Sequence, residues 1–192
     1  KDANIAMLLK ERNANNAWHK LARNKTALVG FFIVAFMVIL AVFAPLIAPY
    51  DPNAINPVLP FKGIGRPGHL FGTDDLGRDI LSRIIYGSRV SMIVAVGATI
   101  VGAIIGVLIG LTAGYFGGWI DSVLMRVMDG MFSFPFILLA MILITVLGNG
   151  VMNVILAIGI ASVPGFARVT RGQVLIVKEE EYCNACRVVG VS

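Results

Sequence analysis

Val101-Gly-Ala-Ile-Ile-Gly-Val-Leu-Ile-Gly-Leu-Thr-Ala-Gly114 carries a glycine at every fourth residue from Gly102. Positions four apart stack on one face of a helix, so Gly102, Gly106, Gly110 and Gly114 leave that face without side chains. Glycine inside a helix costs about 0.5–1 kcal/mol against alanine. Four in register therefore point to a second helix packed at close range. A pore-lining face is the competing explanation. Packing is preferred because bare backbone is what close helix contact in lipid uses. The string lies within Val90–Ile120, which holds no Asp, Glu, Lys or Arg. About 20 helical residues cross about 30 Å of hydrocarbon, so this run is a membrane span, expected over residues 90–116.

Two more uncharged runs flank it. Thr26–Tyr50 follows a polar tail, residues 1–25, that carries six Lys/Arg. It is expected to be a first span over 26–50. The long leading tail, and Pro45 and Pro49 where a small-residue cleavage site would stand, argue against a cleaved signal peptide. Gly130–Ala167 is uncharged for 38 residues. One helix that long would cross the core nearly twice, and Leu147-Gly-Asn-Gly150 at its middle is a turn signal. A hairpin of spans over about 131–147 and 151–167 is expected, with Pro135 and Pro164 kinking or ending them.

Composition agrees with this class. The 192 residues are 57% hydrophobic and 14% charged, with mean hydropathy +0.84, whereas soluble domains are about a quarter charged. The fold expected is all-α, a polytopic helical membrane protein. The net charge of +5 is assigned to cytoplasmic loops rather than to nucleic acid. Four spans put both ends on one side. That side holds eleven Lys/Arg against five in the 51–89 loop, which places the ends in the cytoplasm.

Residues 51–88 form the long outer loop. Asp51–Leu70 is rich in Pro and Gly and reads as irregular. From Thr73 the pattern changes. Thr73 is a candidate N-cap; Leu76, Ile80, Leu81, Ile84 and Ile85 make an apolar face; Asp79 and Arg83 form an i, i+4 pair; Gly87 closes the segment. An amphipathic helix over about 73–86 is expected, either lying on the membrane surface or capping the bundle. Asp121, Arg126 and Asp129 mark a short polar loop or interfacial turn.

The last stretch, 178–192, is polar. Glu179–Glu181 suit a helix start and Gly190 a helix stop. Tyr182, Cys183, Cys186 and Val189 fall on one stripe. So short a helix is marginal alone in water, and the stripe wants a partner. Cys183 and Cys186 could be a redox pair or half a metal site. No second Cys/His pair completes one, and His19 and His69 stand apart, so small helix-face residues are the better account. No metal or cofactor is expected.

Asn184-Ala185-Cys186, three residues, then Gly190 resembles the EAA loop of ABC-transporter permeases, whose pattern is Glu-Ala-Ala, three residues, Gly. Asn184 and Cys186 depart from it; Arg168-x-x-Arg171-Gly-Gln-Val-Leu and Glu181-Tyr182 fit its flanks. Further strings are similar to the C-type permeases of dipeptide and oligopeptide importers. They are Asn24-Lys-Thr-Ala-Leu-Val-Gly30, Ala44-Pro-Leu-Ile-Ala-Pro-Tyr-Asp-Pro52, Gly72-Thr-Asp-Asp-Leu-Gly-Arg-Asp-Ile-Leu-Ser-Arg83, Gly87-Ser-Arg-Val-Ser91, Gly114-Tyr-Phe-Gly-Gly-Trp119 and Met125-Arg-Val-Met-Asp129. The resemblance implies a MetI-like ABC permease fold with four of six expected spans present, the chain stopping inside the coupling segment 168–192. It implies a subunit of an importer built from two permeases, two cytoplasmic ATPases and an extracytoplasmic substrate-binding protein, set in the bilayer of a bacterial or archaeal plasma membrane. Glu181, Tyr182, Asn184, Ala185, Cys186 and Gly190 would then couple to the ATPase. Peptide importers share these motifs with nickel and glutathione importers.

No catalytic side chain is evident. The P-loop string Gly-x-x-x-x-Gly-Lys-Ser/Thr is absent, so ATP hydrolysis would come from partners. No charged residue lies deep in a span, which disfavours an ion-coupled secondary transporter or channel. A membrane scaffold that uses the outer loop to hold a partner is the other rival. Co-purification with an ATPase, and uptake measured with and without the gene, would separate these.

Overall fold

A computed structural model describes residues 24–65, 67–188 and 190. The polar tail over 1–25 therefore lies outside the described residues except for Asn24 and Lys25. The chain divides into two compact units, Lys1–Met92 and Ile93–Ser192. The described residues form helices and no strand, the all-α class expected.

In the first unit, α1 (Lys25–Val42) starts where the Asn24 side chain accepts from the amides of Thr26 and Ala27. Only Ala41 of this helix is buried, while Phe31, Phe32, Ile33 and Phe36 stand open. In hydrocarbon this is stable, because the helix satisfies its own backbone and the side chains face lipid. The apolar run does not continue as one helix to Tyr50. The chain breaks at Phe43 and turns through a short α2 (Ala44–Ile47). Pro45 has no amide to offer the carbonyl four residues back.

The segment expected to be an amphipathic helix over 73–86 is not one. Residues 51–79 form a compact loop whose arms are paired across the chain. Phe61 N–H donates to Asp74 O at 3.0 Å, Thr73 N–H to Lys62 O at 3.0 Å, and Asn56 N–H to Leu76 O at 3.1 Å. Gly72 and Gly77 sit at φ +78° and +73°, where L side chains are strained. A Cβ there would also strike the carbonyl oxygens of Lys62 and Asn56. Thr73 caps nothing. Its hydroxyl accepts from Lys62 N–H at 2.8 Å and donates to Leu59 O at 2.5 Å.

The helix begins only at Ile80, because Asp79 is the cap. One Asp79 oxygen accepts from the amide and hydroxyl of Ser82 at 2.8 and 2.7 Å, the other meets His69 Nδ1 at 2.9 Å. Ser82 in turn accepts from Tyr50 N–H at 3.1 Å. Arg83, expected to pair with Asp79, bonds Asp74 instead, beside Arg78. Gly87 does not stop the helix, since its backbone is not left-handed. One helix, α3 (Ile80–Phe116), holds both the end of the loop and the second span.

The second unit contains the rest of α3 with four more helices. The polar stretch 121–130 is not a turn but part of α4 (Gly118–Phe132). The expected third span over 131–147 is broken: 131 and 132 end α4, and the rest is α5 (Phe136–Leu147), whose 12 residues reach about 18 Å. Pro135 separates α4 from α5, and the pair is bent by 92°. Among the described residues three helices are long and apolar enough to cross a membrane, four if this bent pair is one span. Asn153 closes the following turn by donating to Leu147 O and Gly148 O at 2.8 and 3.2 Å. Then α6 (Val151–Glu179) runs 29 residues, well past the end expected at 167. Pro164 lies inside it, fully buried, and neither ends nor interrupts it. After Glu180, α7 (Glu181–Val188) follows. The core of the unit joins Met128 of α4 to Val163 and Ala167 of α6, with Ile109, Met125 and Met131 packed around them.

The loop over residues 51–79 makes a pH prediction. Burial opposes ionisation of Asp74, but the Arg78 amide and guanidinium, the Leu76 amide and Arg83 outweigh it and lower its pKa from 3.8 to about 2. Asp79 is lowered likewise: burial raises it, and Ser82 and His69 more than offset this. A depressed carboxylate stabilises the folded loop above its unfolded pKa and loses that effect as pH falls through the folded one. Protease resistance of residues 51–79 should thus hold from neutral pH to about 4 and decline toward about 2. In Asp74→Asn, that part of the acid response should be missing.

Candidate functional site

Two features of the second unit bear on function: the contact between α3 and α6, and the end of α6 with α7. The glycine face of α3 lies against α6. A Cβ on Gly102 would strike the Ser162 hydroxyl and lie 2.9 Å from Gly159 O. One on Gly106 would come 2.5 Å from Phe166 Cβ, 2.7 Å from Val163 O and 3.0 Å from Ala167 N. At Gly110 it would strike Ala167 O and at Gly114 it would reach Val174 Cβ at 2.7 Å. Real Cβ atoms do not pack against backbone at such distances, so any side chain here forces the helices apart. The fit is reciprocal at Gly159 of α6, where a Cβ would meet Val101 Cβ at 2.8 Å. Sequence reasoning missed Gly159. Its only signal was one glycine in an apolar run.

Around the last two glycines ionic contacts join the packing. Arg171 of α6 grips Asp121 of α4 with both ends of its fork, Nε to Oδ1 at 2.5 Å and Nη2 to Oδ2 at 2.6 Å. Arg168 bonds Asp129 at 2.8 Å, and its guanidinium lies 4.3 Å from the Phe132 ring centre. Lys178 donates to Tyr115 O at 2.8 Å and Gly114 O at 3.3 Å, placing a cation on the last carbonyls of α3, where the helix dipole favours it. These partners were missed too. Arg168 and Arg171 had served as topology markers and as flanks of the resembled loop, and Lys178 as a topology marker, because their partners lie 39, 50 and 63 residues away.

The residues suggested by the resemblance lie on and after α7. Glu181, Tyr182 and Ala185 are exposed, and Cys183 is half-buried. Asn184 and Cys186 fall on the helix backbone, and Gly190 stands in a turn at φ +84°. The run Glu179–Glu181, expected to open one helix, is split. Glu179 ends α6, Glu180 is extended at ψ 144°, and Glu181 starts α7. The bend is held by Glu180 N–H to Val177 O at 3.3 Å and Cys183 N–H to Glu180 O at 3.0 Å. No cluster of His, Cys, Asp and Glu among the described residues could hold a metal ion.

The chain is similar in sequence to known proteins. Residues 14–61 match the family described as the N-terminal TM domain of oligopeptide transport permease C. Residues 106–192 match the binding-protein-dependent transport system inner membrane component family. The glutathione transport system permease protein GsiD of Escherichia coli O6:K15:H31 (strain 536 / UPEC) is 39% identical over 193 residues, covering 98% of this chain and 64% of the relative. Those of Shigella boydii serotype 4 (strain Sb227) and Shigella flexneri serotype 5b (strain 8401) are 39% and 40% identical over the same shares. The chain thus spans 64% of the length of the relatives it matches.

The glycine contact predicts a contrast between two alanines. Gly106→Ala forces a methyl into α6 backbone and should destabilise the fold by about 1–3 kcal/mol. Gly165→Ala, on a site of α6 with nothing within 4 Å, should be neutral or gain up to about 1 kcal/mol from helix propensity. Thermal unfolding of the two variants in the same detergent checks this. Equal melting temperatures would contradict it.

Proposed function

The chain belongs to the inner-membrane permeases of ABC importers, of the oligopeptide and dipeptide permease C type, and from that premise we propose that it forms half of the translocation pathway of an ATP-driven peptide importer. Its partners in this reading are a second permease, two cytoplasmic ATPases and an external substrate-binding protein. The chain itself performs no catalysis, and the ATPases supply hydrolysis. Both α1 and α7 then lie with their polar flanks in the cytoplasm, in keeping with the distribution of Lys and Arg, provided the bent α4–α5 pair serves as one span.

The observation that carries the reading is the continuity of α6. A single helix leaves the apolar hairpin, passes the ionic contacts and ends one residue before α7. A force applied to α7 by an ATPase pair closing on nucleotide acts on the end of a stiff rod, not on a loop. The rod lies along the bare face of α3, and a tilt of one against the other switches access between the two sides of the membrane.

The cargo class proposed is short peptides. Glutathione, itself a tripeptide, is the specific cargo favoured within it by the 39% identity to glutathione permeases.

A charge on the exposed face of α7 tests the docking. In the assembled transporter, Ala185→Arg should weaken ATPase retention by about tenfold or more, because an unpaired buried charge costs over about 1.4 kcal/mol. Uptake driven by ATP should fall with it. Unchanged co-purification and uptake would overturn the docking role of α7.

A further inference from the structure

Arg171, Asp121 and Lys178 sit where the proposed lever leaves the glycine contact, and their geometry exceeds what helix packing needs. We propose that they are positioning residues for transport: a clamp that ties the ends of α3 and α4 to α6, so that the three ends move as one block when α7 is displaced. The inference rests on the permease reading above.

A glycine face brings helices close but does not fix their register. Its contacts are dispersive and non-directional, and bare backbone can slide along bare backbone. A bidentate guanidinium–carboxylate pair is directional and fixes both distance and angle. Asp121 and Arg171 show 17% and 32% of their side-chain surface, enough shielding to keep the pair from being screened like a surface bridge. Lys178 lies seven residues after Arg171, two turns on, and holds the α3 end on its last carbonyls. Gly110 and Gly114 pack around Arg171 itself: a Cβ on each would lie 3.0 Å from its amide and 3.3 Å from its carbonyl. One turn of α6 is therefore fixed to α3 and α4 together. From Arg171 to the bend at Glu180 is about 14 Å of helix. A push at the bend reaches this turn before it reaches the rest of the membrane domain.

The clamp predicts a loss of coupling that differs from a loss of assembly. Transporter reconstituted in liposomes with its ATPases and binding protein would be assayed for ATP hydrolysis and for uptake of a labelled tripeptide. Arg171→Met should leave ATPase bound and hydrolysing while uptake per ATP falls about three- to tenfold. The exchange Asp121→Arg with Arg171→Asp should recover part of it. If Arg171→Met does not assemble, the milder Arg171→Lys and Asp121→Asn carry the test, with smaller losses in the same ratio. An unchanged ratio in assembled variants overturns the clamp while leaving the permease reading intact. No ATP-driven uptake by the unmodified complex, with either tripeptide or longer peptides, overturns both. Closure throughout the cycle is read separately. Asp121→Cys with Arg171→Cys, joined by a short thiol cross-linker, should still transport, and a loss on cross-linking would also overturn the proposal.

Discussion

Contact between the backbones of α3 and α6 is the constraint that the second unit is built on. A hydrocarbon interior offers no water to drive helices together, and their association rests on close van der Waals fit. Only a face without side chains lets Val163 O and Ala167 N of one helix come so near Gly106 of the other. That nearness brings Arg171 to the height of Asp121, and Lys178 to the last carbonyls of α3. Spread the two helices by one methyl, and the Lys178 contact with the end of α3 lengthens with them.

Much of the all-α plan was legible because an uncharged run of twenty or more residues has few solutions. The runs within 26–50, 90–120 and 130–167 fall on α1, α3, α5 and α6. Helix ends were less legible, for non-local reasons. Thr73 has the look of a cap, yet its hydroxyl serves Lys62 and Leu59, eleven and fourteen residues upstream. Gly87 has the look of a stop, but nothing requires a left-handed residue there. The polar triad Asp121, Arg126 and Asp129 suggested a turn. It concealed a helix on which Asp121 shares a face with Met125 and Met128, and which packs these methionines and Met131 into the core.

For the site, the repeat at Gly102–Gly114 could be read from spacing as a face without side chains; what it faces could not. The string around Ala185 was visible through its resemblance to a known loop, while the split of Glu179–Glu181 between two helices was not. That split depends on the extended backbone of Glu180, and no residue type there demands it. The ion pairs were illegible in principle. Opposite charges 39 or 50 residues apart meet only once the helices carrying them are placed.

Stiffness and compliance are divided along α6 in a way that suits a lever. Through Lys178 the helix is gripped, by glycine contact, by two arginines and by a lysine on the end of α3. Two residues later the chain is extended at Glu180, with Glu180 N–H bonded to Val177 O and Cys183 N–H to Glu180 O across the bend. Eight residues make too short a helix to persist alone in water, and Tyr182 and Val188 of α7 stand largely exposed. A short helix joined by a bend to a well-packed rod would, in the proposed docking, change its own order without loosening the rod. In the proposed docking, the segment that would adapt to an ATPase surface and the segment that would carry its force are thus different residues, Glu181–Val188 and Val151–Glu179, joined at Glu180.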